Sequence, residues 1–133
     1  MVPEDVKLLA WSTLYTWLLI MASSLIRAKA WTPSGLMTAF GNRDDVPPAL
    51  DWVARLERAS KNQVEGFILF AALVSAANLA HLPGTQHITG AQIWFYSRFV
   101  YAAVYVAGIP YLRTAVWFVG IAGLLMIGGE VVL

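Results

Sequence analysis

The chain has 133 residues, of which 59% are hydrophobic and only 13% are charged, with a formal net charge of +1. A water-soluble domain this small needs far more polar surface, so the composition indicates a single-domain integral membrane protein. The near-neutral charge and the lack of a basic run argue against nucleic-acid binding. The absence of cysteine excludes disulfides, a protein thiolate nucleophile and a cysteine metal site.

The first predicted helix covers residues 6–29 and contains an uncharged stretch from Leu8 to Ile26. That stretch is long enough to span the roughly 30 Å of bilayer hydrocarbon. Glu4 and Asp5 precede it, and this acidic start is unlike the basic start of a cleaved signal peptide, so we expect a retained membrane helix. The prolines, glycines and charges of residues 30–50 then predict an interfacial loop.

The second predicted helix covers residues 51–80 and carries a polar stripe. Its members are spaced 3, 4 and 3 residues apart and are Arg55, Arg58, Asn62 and Glu65. This spacing places them on one helical face about 80° wide. Ionisable groups on a helix that continues into lipid must face other helices or an aqueous cavity, so they are functional candidates. The small residues that continue the stripe, Ala72, Ala76 and Ala80, predict packing against other helices.

Two histidines, His81 and His87, flank the next predicted turn. Their spacing raises the possibility of a metal site. However, Pro83 and Gly84 break any shared helix face, and no third ligand lies nearby in the sequence. We therefore favour a solvated loop and predict no metal site.

The third and fourth predicted helices cover residues 89–108 and 111–131, with a tight turn at Gly108 and Pro110. One face of the third helix carries Trp94, Arg98, Tyr101 and Tyr105, and the fourth begins with Arg113. The basic residues cluster around the first and third loops: Arg27, Lys29, Arg43, Arg55, Arg58, Lys61 and Arg113. The positive-inside rule therefore predicts that these loops are cytoplasmic and that both termini lie outside. This topology brings Arg58, Tyr105 and Arg113 to the same end.

The predicted cluster combines several cations with one carboxylate. Guanidinium groups bind carboxylates through two parallel hydrogen bonds, and Glu65 can accept from an ammonium. A ligand with two carboxylates and one ammonium fits this set of charges.

Two sequence blocks resemble the MAPEG family, the membrane-associated proteins of eicosanoid and glutathione metabolism. The blocks are Arg55-x-x-Arg58-Ala59-x-x-Asn62-x-x-Glu65 and Arg98-x-x-Tyr101-x-x-x-Tyr105, followed by Arg113. The resemblance, which is to bacterial members and to microsomal glutathione transferases, implies an all-α homotrimer of four-helix membrane subunits. It further implies glutathione bound between neighbouring subunits near the cytoplasmic face of the bacterial inner membrane.

The resemblance also implies a role for each site residue. Arg58, Asn62 and Glu65 are expected to bind the charged ends and backbone of glutathione, with Arg27 contributing. Tyr101 and Tyr105 are expected to line the thiol side, and Arg113 is the expected catalytic residue beside the sulfur. The thiolate would attack a lipophilic electrophile delivered from the bilayer. The chain departs from some relatives at Gly66 and Trp117, where they have tyrosine, and this leaves the electrophile and any peroxidase activity open.

Other interpretations remain. The polar stripe could be an interhelical network that only fixes the assembly. The protein could hold a lipid or glutathione without catalysis. A transporter is disfavoured because the sequence shows no internal repeat. We expect Arg98 to play a structural role, paired with Glu65 or Glu57, and Arg55 and Lys61 to meet lipid phosphates.

Overall fold

A computed structural model describes the whole chain, Met1–Leu133, and contains helices but no strands. The five helices are α1 (Glu4–Ala28), α2 (Pro33–Phe40), α3 (Asp51–Leu79), α4 (Gln86–Ala107) and α5 (Pro110–Val132). The all-α prediction is confirmed, and the four long helices lie within a few residues of the predicted ranges.

The short helix α2 lies inside residues 30–50, which the sequence predicted to be a loop, so that prediction is wrong for this segment. Thr32 caps the helix, since its hydroxyl accepts a hydrogen bond from the Gly35 N–H at 2.9 Å. Pro33 occupies the first turn, where its fixed φ favours a helix. The residue that suggested a break therefore starts a helix. Gly35 allows a close approach to α1, because a Cβ there would lie 1.8 Å from the Lys29 carbonyl oxygen.

The predicted turn between α4 and α5 is confirmed. Gly108 ends α4 with φ +79°, a left-handed conformation that glycine adopts without strain. Pro110 then begins α5. An N–H group at this position has no acceptor within the helix, so the missing N–H of proline costs no hydrogen bond.

The long helices pack around a core at α3 and α4, which lie between α1 and α5. Phe70 of α3 stacks on Trp94 of α4, with ring centroids 4.0 Å apart and an interplanar angle of 11°. Helices α4 and α5 approach closely where Gly90 faces Gly123, and a Cβ on Gly90 would lie only 2.5 Å from the Gly123 carbonyl oxygen. Small residues allow such approach between helices in lipid.

Helices α1, α3 and α5 are each long and apolar enough to cross a membrane, as expected of an integral membrane protein. Helix α4 is not among them, and its Gln92, Ser97 and Arg98 lower its mean hydropathy. Ser97 and Arg98 are buried within the chain. These two polar residues therefore lower the mean hydropathy of α4 without adding polar groups to its exposed surface.

The alanine stripe of α3 does not pack within the chain. Ala72 and Ala80 are exposed and Ala76 is half-buried, whereas Phe70, Val74 and Ala77 face the core. The prediction that this stripe contacts other helices is therefore not met inside one chain.

Both termini lie at the same end of the molecule as the turn between α3 and α4. Asn78 of α3 donates to Asp5 of α1, and His87 of α4 contacts Glu130 of α5. The opposite end consequently holds the start of α3, the end of α4 and the start of α5. That end carries Arg58, Tyr105 and Arg113.

Candidate functional site

The predicted site residues on α3, α4 and α5 come together at this second end. Two guanidinium groups lie near the ring of Tyr105: the Cζ atom of Arg113 is 4.6 Å from the ring centroid and that of Arg58 is 6.0 Å away. Tyr101 lies one turn earlier on α4, and its ring meets that of Tyr105 edge to face at 5.6 Å. The geometry therefore concentrates positive charge around one aromatic side chain.

Two neighbouring cavities open beside this cluster, and Asn62 and Trp117 line both. One has a volume of about 230 Å³ and is also lined by Tyr101 and Arg113. The other, of about 180 Å³, is lined by the charged side chains of Glu65 and Arg98 and by glycines and apolar side chains of α3, α4 and α5, among them Gly66 and Gly120. A polar chamber thus adjoins a mostly apolar one.

The charged residues at the mouth of the site have no charged partner in the chain. Arg58 and Glu65 are exposed. The chain's ion pairs join Arg27 to Glu57 and His87 to two carboxylates, so none includes Arg58, Glu65 or Arg113. Within one chain the charges of Arg58 and Glu65 therefore remain available to a ligand. Arg55 of the same stripe does have a partner, since its Nε donates to the Val106 carbonyl oxygen of α4 at 3.0 Å.

Arg98 lies behind the stripe and does not pair with Glu65 or Glu57, so that expectation is wrong. Its Nε donates to the Gln63 Oε1 at 2.7 Å and its Nη2 donates to the Asn62 Oδ1 at 2.8 Å. Its guanidinium also lies over the Tyr101 ring, 4.3 Å from the centroid. Gln63 was not predicted as a site residue, because it lies outside the stripe, carries no charge and belongs to no motif in the sequence.

Comparison with family models matches residues 8–133 to the MAPEG family. The chain belongs to the MAPEG family. The resemblance carried by the two sequence blocks is thereby confirmed. Comparison with curated proteins and with solved structures gave no match. The MAPEG family includes glutathione transferases as well as non-catalytic members, so the activity has to be argued from the site.

Arg27, also predicted to contact the ligand, lies apart from the other site residues of this MAPEG chain. Its Nε is 2.9 Å from the Glu57 Oε1, and it donates a hydrogen bond to the Pro47 carbonyl oxygen. It lines a separate cavity of about 300 Å³ between the end of α1, α2 and the start of α3. A shared site with Arg113 in one subunit is therefore not formed, and the role of Arg27 stays a prediction.

His87 differs from the sequence expectation, since it is buried at the start of α4 and does not lie in a solvated loop. Its Nδ1 is 2.9 Å from the Glu130 Oε2 and its Nε2 is 3.7 Å from the Asp5 Oδ2. His81 is exposed. The two ring nitrogens of His87 face different carboxylates. No group of three or more ligating side chains that could hold a metal ion is present. This cluster lies at the end opposite the candidate site.

Proposed function

We propose that this MAPEG protein is a membrane-bound glutathione transferase that activates the glutathione thiol for attack on a lipophilic electrophile. The observation that carries the proposal is that the guanidiniums of Arg58 and Arg113 both lie near the Tyr105 ring and have no carboxylate partner. A cavity lined by Asn62 and Tyr101 adjoins them.

Glutathione fits this donor set because it has two carboxylates, one ammonium and two peptide groups. Arg58 binds a carboxylate through its planar fork, which matches the two oxygens. Glu65 is exposed and unpaired, and it accepts from the ammonium. Asn62, which lines both cavities, contacts the peptide backbone.

Arg113 stabilises the thiolate. A cysteine-type thiol has a pKa of about 8.5, and neighbouring cations lower it to about 3.5–7.5. Arg113 keeps its charge at any physiological pH, and the face of Tyr105 holds its guanidinium in place. The thiol proton passes to water and the sulfur forms a bond to the electrophilic carbon. The leaving group departs with the bonding electron pair or, in an addition, the new carbanion takes up a proton.

The apolar part of the electrophile occupies the apolar part of the second cavity, while Glu65 in the same lining takes the ammonium of glutathione. Leu69, Ile121 and Leu124 supply its apolar walls, and glycines at positions 66 and 120 leave space between the helices. An apolar compound dissolved in the bilayer reaches this cavity without crossing water, which suits conjugation of lipophilic substrates.

A homotrimer of four-helix subunits completes the site. Each cavity is smaller than the about 300–1,000 Å³ of typical ligand pockets, so one chain supplies only part of the wall. Arg58 and Glu65 are exposed beside the unpacked alanine stripe, where a neighbouring subunit would cover them. That neighbour also contributes its Arg27. By the positive-inside rule, this end faces the cytoplasm of a bacterial inner membrane.

The test is turnover by the detergent-solubilised protein with glutathione and an activated aryl halide. We expect product that requires glutathione and that falls strongly in Arg113→Ala. A protein that binds glutathione but shows neither turnover nor bound thiolate is instead a non-catalytic binding member of the family, and this proposal is then wrong.

A further inference from the structure

We propose that Gln63 and Arg98 are positioning residues that hold the Asn62 amide with its NH₂ group toward the ligand. Asn62 then recognises the ligand by donating hydrogen bonds to a carbonyl or carboxylate oxygen. This inference rests on the proposed glutathione function. It states that Asn62 is the donor, and the ligand the acceptor, in one hydrogen bond of that site.

The directions of the hydrogen bonds follow from what each group can donate. Thr16 of α1 donates its hydroxyl hydrogen to the Ser12 carbonyl at 2.7 Å, so its oxygen accepts from the Gln63 Nε2 at 3.0 Å. The amide oxygen of Gln63 is then left to accept from the Nε of Arg98 at 2.7 Å. Arg98 can only donate, so the Asn62 atom 2.8 Å from its Nη2 must be the oxygen, Oδ1.

Burial makes this arrangement rigid. Gln63 is 1% exposed and Arg98 is 5% exposed, and Arg98 has no carboxylate within ion-pairing distance. A buried charge without compensation is strongly unfavourable. Two amide oxygens and the Tyr101 ring supply that compensation, so moving Arg98 away from them would leave its buried charge uncompensated. The orientation of Asn62 is therefore fixed before a ligand arrives, which reduces the entropy lost on binding.

The free side of Asn62 is a donor. Its Oδ1 is occupied by Arg98, its Nδ2 makes no hydrogen bond within the chain, and the residue lines both cavities. The Nδ2 group of Asn62 therefore adds donors to the site, while its Oδ1 is held toward Arg98. The group that Asn62 recognises is an oxygen acceptor of glutathione, a peptide carbonyl or a carboxylate, and not its ammonium.

The experiment measures glutathione affinity by calorimetry on the detergent-solubilised protein, starting with the parent. If the parent does not bind glutathione, the proposed function fails and the inference falls with it. If it binds, we expect Gln63→Leu to raise the dissociation constant about tenfold, which corresponds to about 1.4 kcal/mol. Gln63→Glu keeps the acceptor for Arg98 and should restore most of the affinity. Gln86→Leu, at the other end of the molecule, is the matched control and should bind like the parent.

Two further variants separate positioning from a structural role. In an Asn62→Ala background, Gln63→Leu should cause no additional loss, because residues that act through one contact are not additive. An equal loss in both backgrounds overturns the inference. Asn62→Asp keeps an oxygen for Arg98 but removes the donor, so it should bind glutathione no better than Asn62→Ala does. Binding by Asn62→Asp at the parent level shows that position 62 acts as an acceptor, and the inference is then wrong.

If Gln63→Leu does not assemble, Arg98→Lys provides the same test. Lysine keeps the charge but cannot donate to Gln63 and Asn62 in the guanidinium geometry. We expect an affinity loss similar to that of Gln63→Leu, with the pKa of the bound thiol unchanged because Arg113 is intact. A shift of that thiol pKa with unchanged affinity contradicts the inference.

Discussion

The guanidinium of Arg113 lies over the ring of Tyr105, with its Cζ atom 4.6 Å from the ring centroid. Arg113 lies in the first turn of α5 and Tyr105 is near the end of α4, so the tight turn at Gly108 brings the two side chains together. A ring face attracts a cation without neutralising it. The contact therefore orients Arg113 and leaves its full charge to act on a ligand.

Glu65→Gln tests the assignment of the site's exposed carboxylate. Because Glu65 makes no ion pair within the chain, we expect little change in assembly or thermal stability. Glutathione binding should weaken by about 1.5–3 kcal/mol, the range for hydrogen bonds to charged groups. Glu4→Gln, an exposed change at the opposite end, is the control for calorimetry. If Glu65→Gln dissociates the oligomer while each intact assembly binds normally, the stripe serves the assembly and not the ligand.

The close approach of α4 and α5 predicts a position-specific effect of glycine substitution. Gly90→Ala places a Cβ only 2.5 Å from the Gly123 carbonyl oxygen, which is too close, so the helices must separate. Overpacking of this kind destabilises by about 1–3 kcal/mol. Gly128→Ala is the matched control, since its Cβ would only meet the Leu73 Cδ2 at 3.6 Å. Thermal unfolding in detergent should separate the two variants, and equal melting temperatures would contradict the packing argument.

His87→Gln should destabilise the fold without affecting the ligand site. The change removes the imidazole that lies 2.9 Å from the Glu130 Oε2 and 3.7 Å from the Oδ2 of Asp5, which is 1% exposed. Loss of these polar contacts among partly buried side chains should lower the melting temperature in detergent. His81→Gln alters an exposed histidine of the turn between α3 and α4 and should leave the stability unchanged. Glutathione affinity of the folded His87 variant should equal that of the parent, because the cluster lies at the other end; a large loss would mean that the two ends are coupled.

The polar stripe and the turn at Gly108 could be predicted because both depend on local sequence. The stripe follows from residue spacing along one helix, and the turn follows from a glycine and a proline two residues apart. The partners of Arg98 and His87 could not, since both depend on which helices become neighbours. The sequence favoured carboxylates for Arg98, yet the packing of α3 on α4 presents the amides of Gln63 and Asn62. Helix α2 was missed because Pro33 breaks a helix in its interior but favours its first turn.

The proposed trimer predicts a specific crosslinking result. The exposed faces of Arg58, Glu65 and the alanine stripe lie on one side of α3, so a neighbouring subunit that covers them must contact this helix. Amine-reactive crosslinking in mild detergent should therefore give bands up to a trimer. Ala76→Trp, a large residue on the proposed interface, should reduce the trimer, whereas Leu125→Trp, at an exposed position of α5, should not. Crosslinking that stops at dimers would contradict the trimer.

Arg113→Ala separates binding from chemistry at the centre of the site. Arg113 acts by placing a positive charge beside the sulfur, so its removal should leave glutathione affinity within several-fold of the parent. The pKa of the bound thiol should rise by at least about one unit, equivalent to about 1.4 kcal/mol, and the ultraviolet absorbance of the thiolate during a pH titration measures that rise. Arg113→Lys should recover part of the shift, because a point charge remains although the planar fork is lost. Arg43→Ala, which removes an exposed arginine beyond α2, should leave the thiol pKa unchanged.

If Arg113→Ala instead loses binding while the remaining complex keeps a low thiol pKa, Arg113 recognises a carboxylate. The thiolate must then be stabilised by Tyr101, Tyr105 or a neighbouring subunit's Arg27.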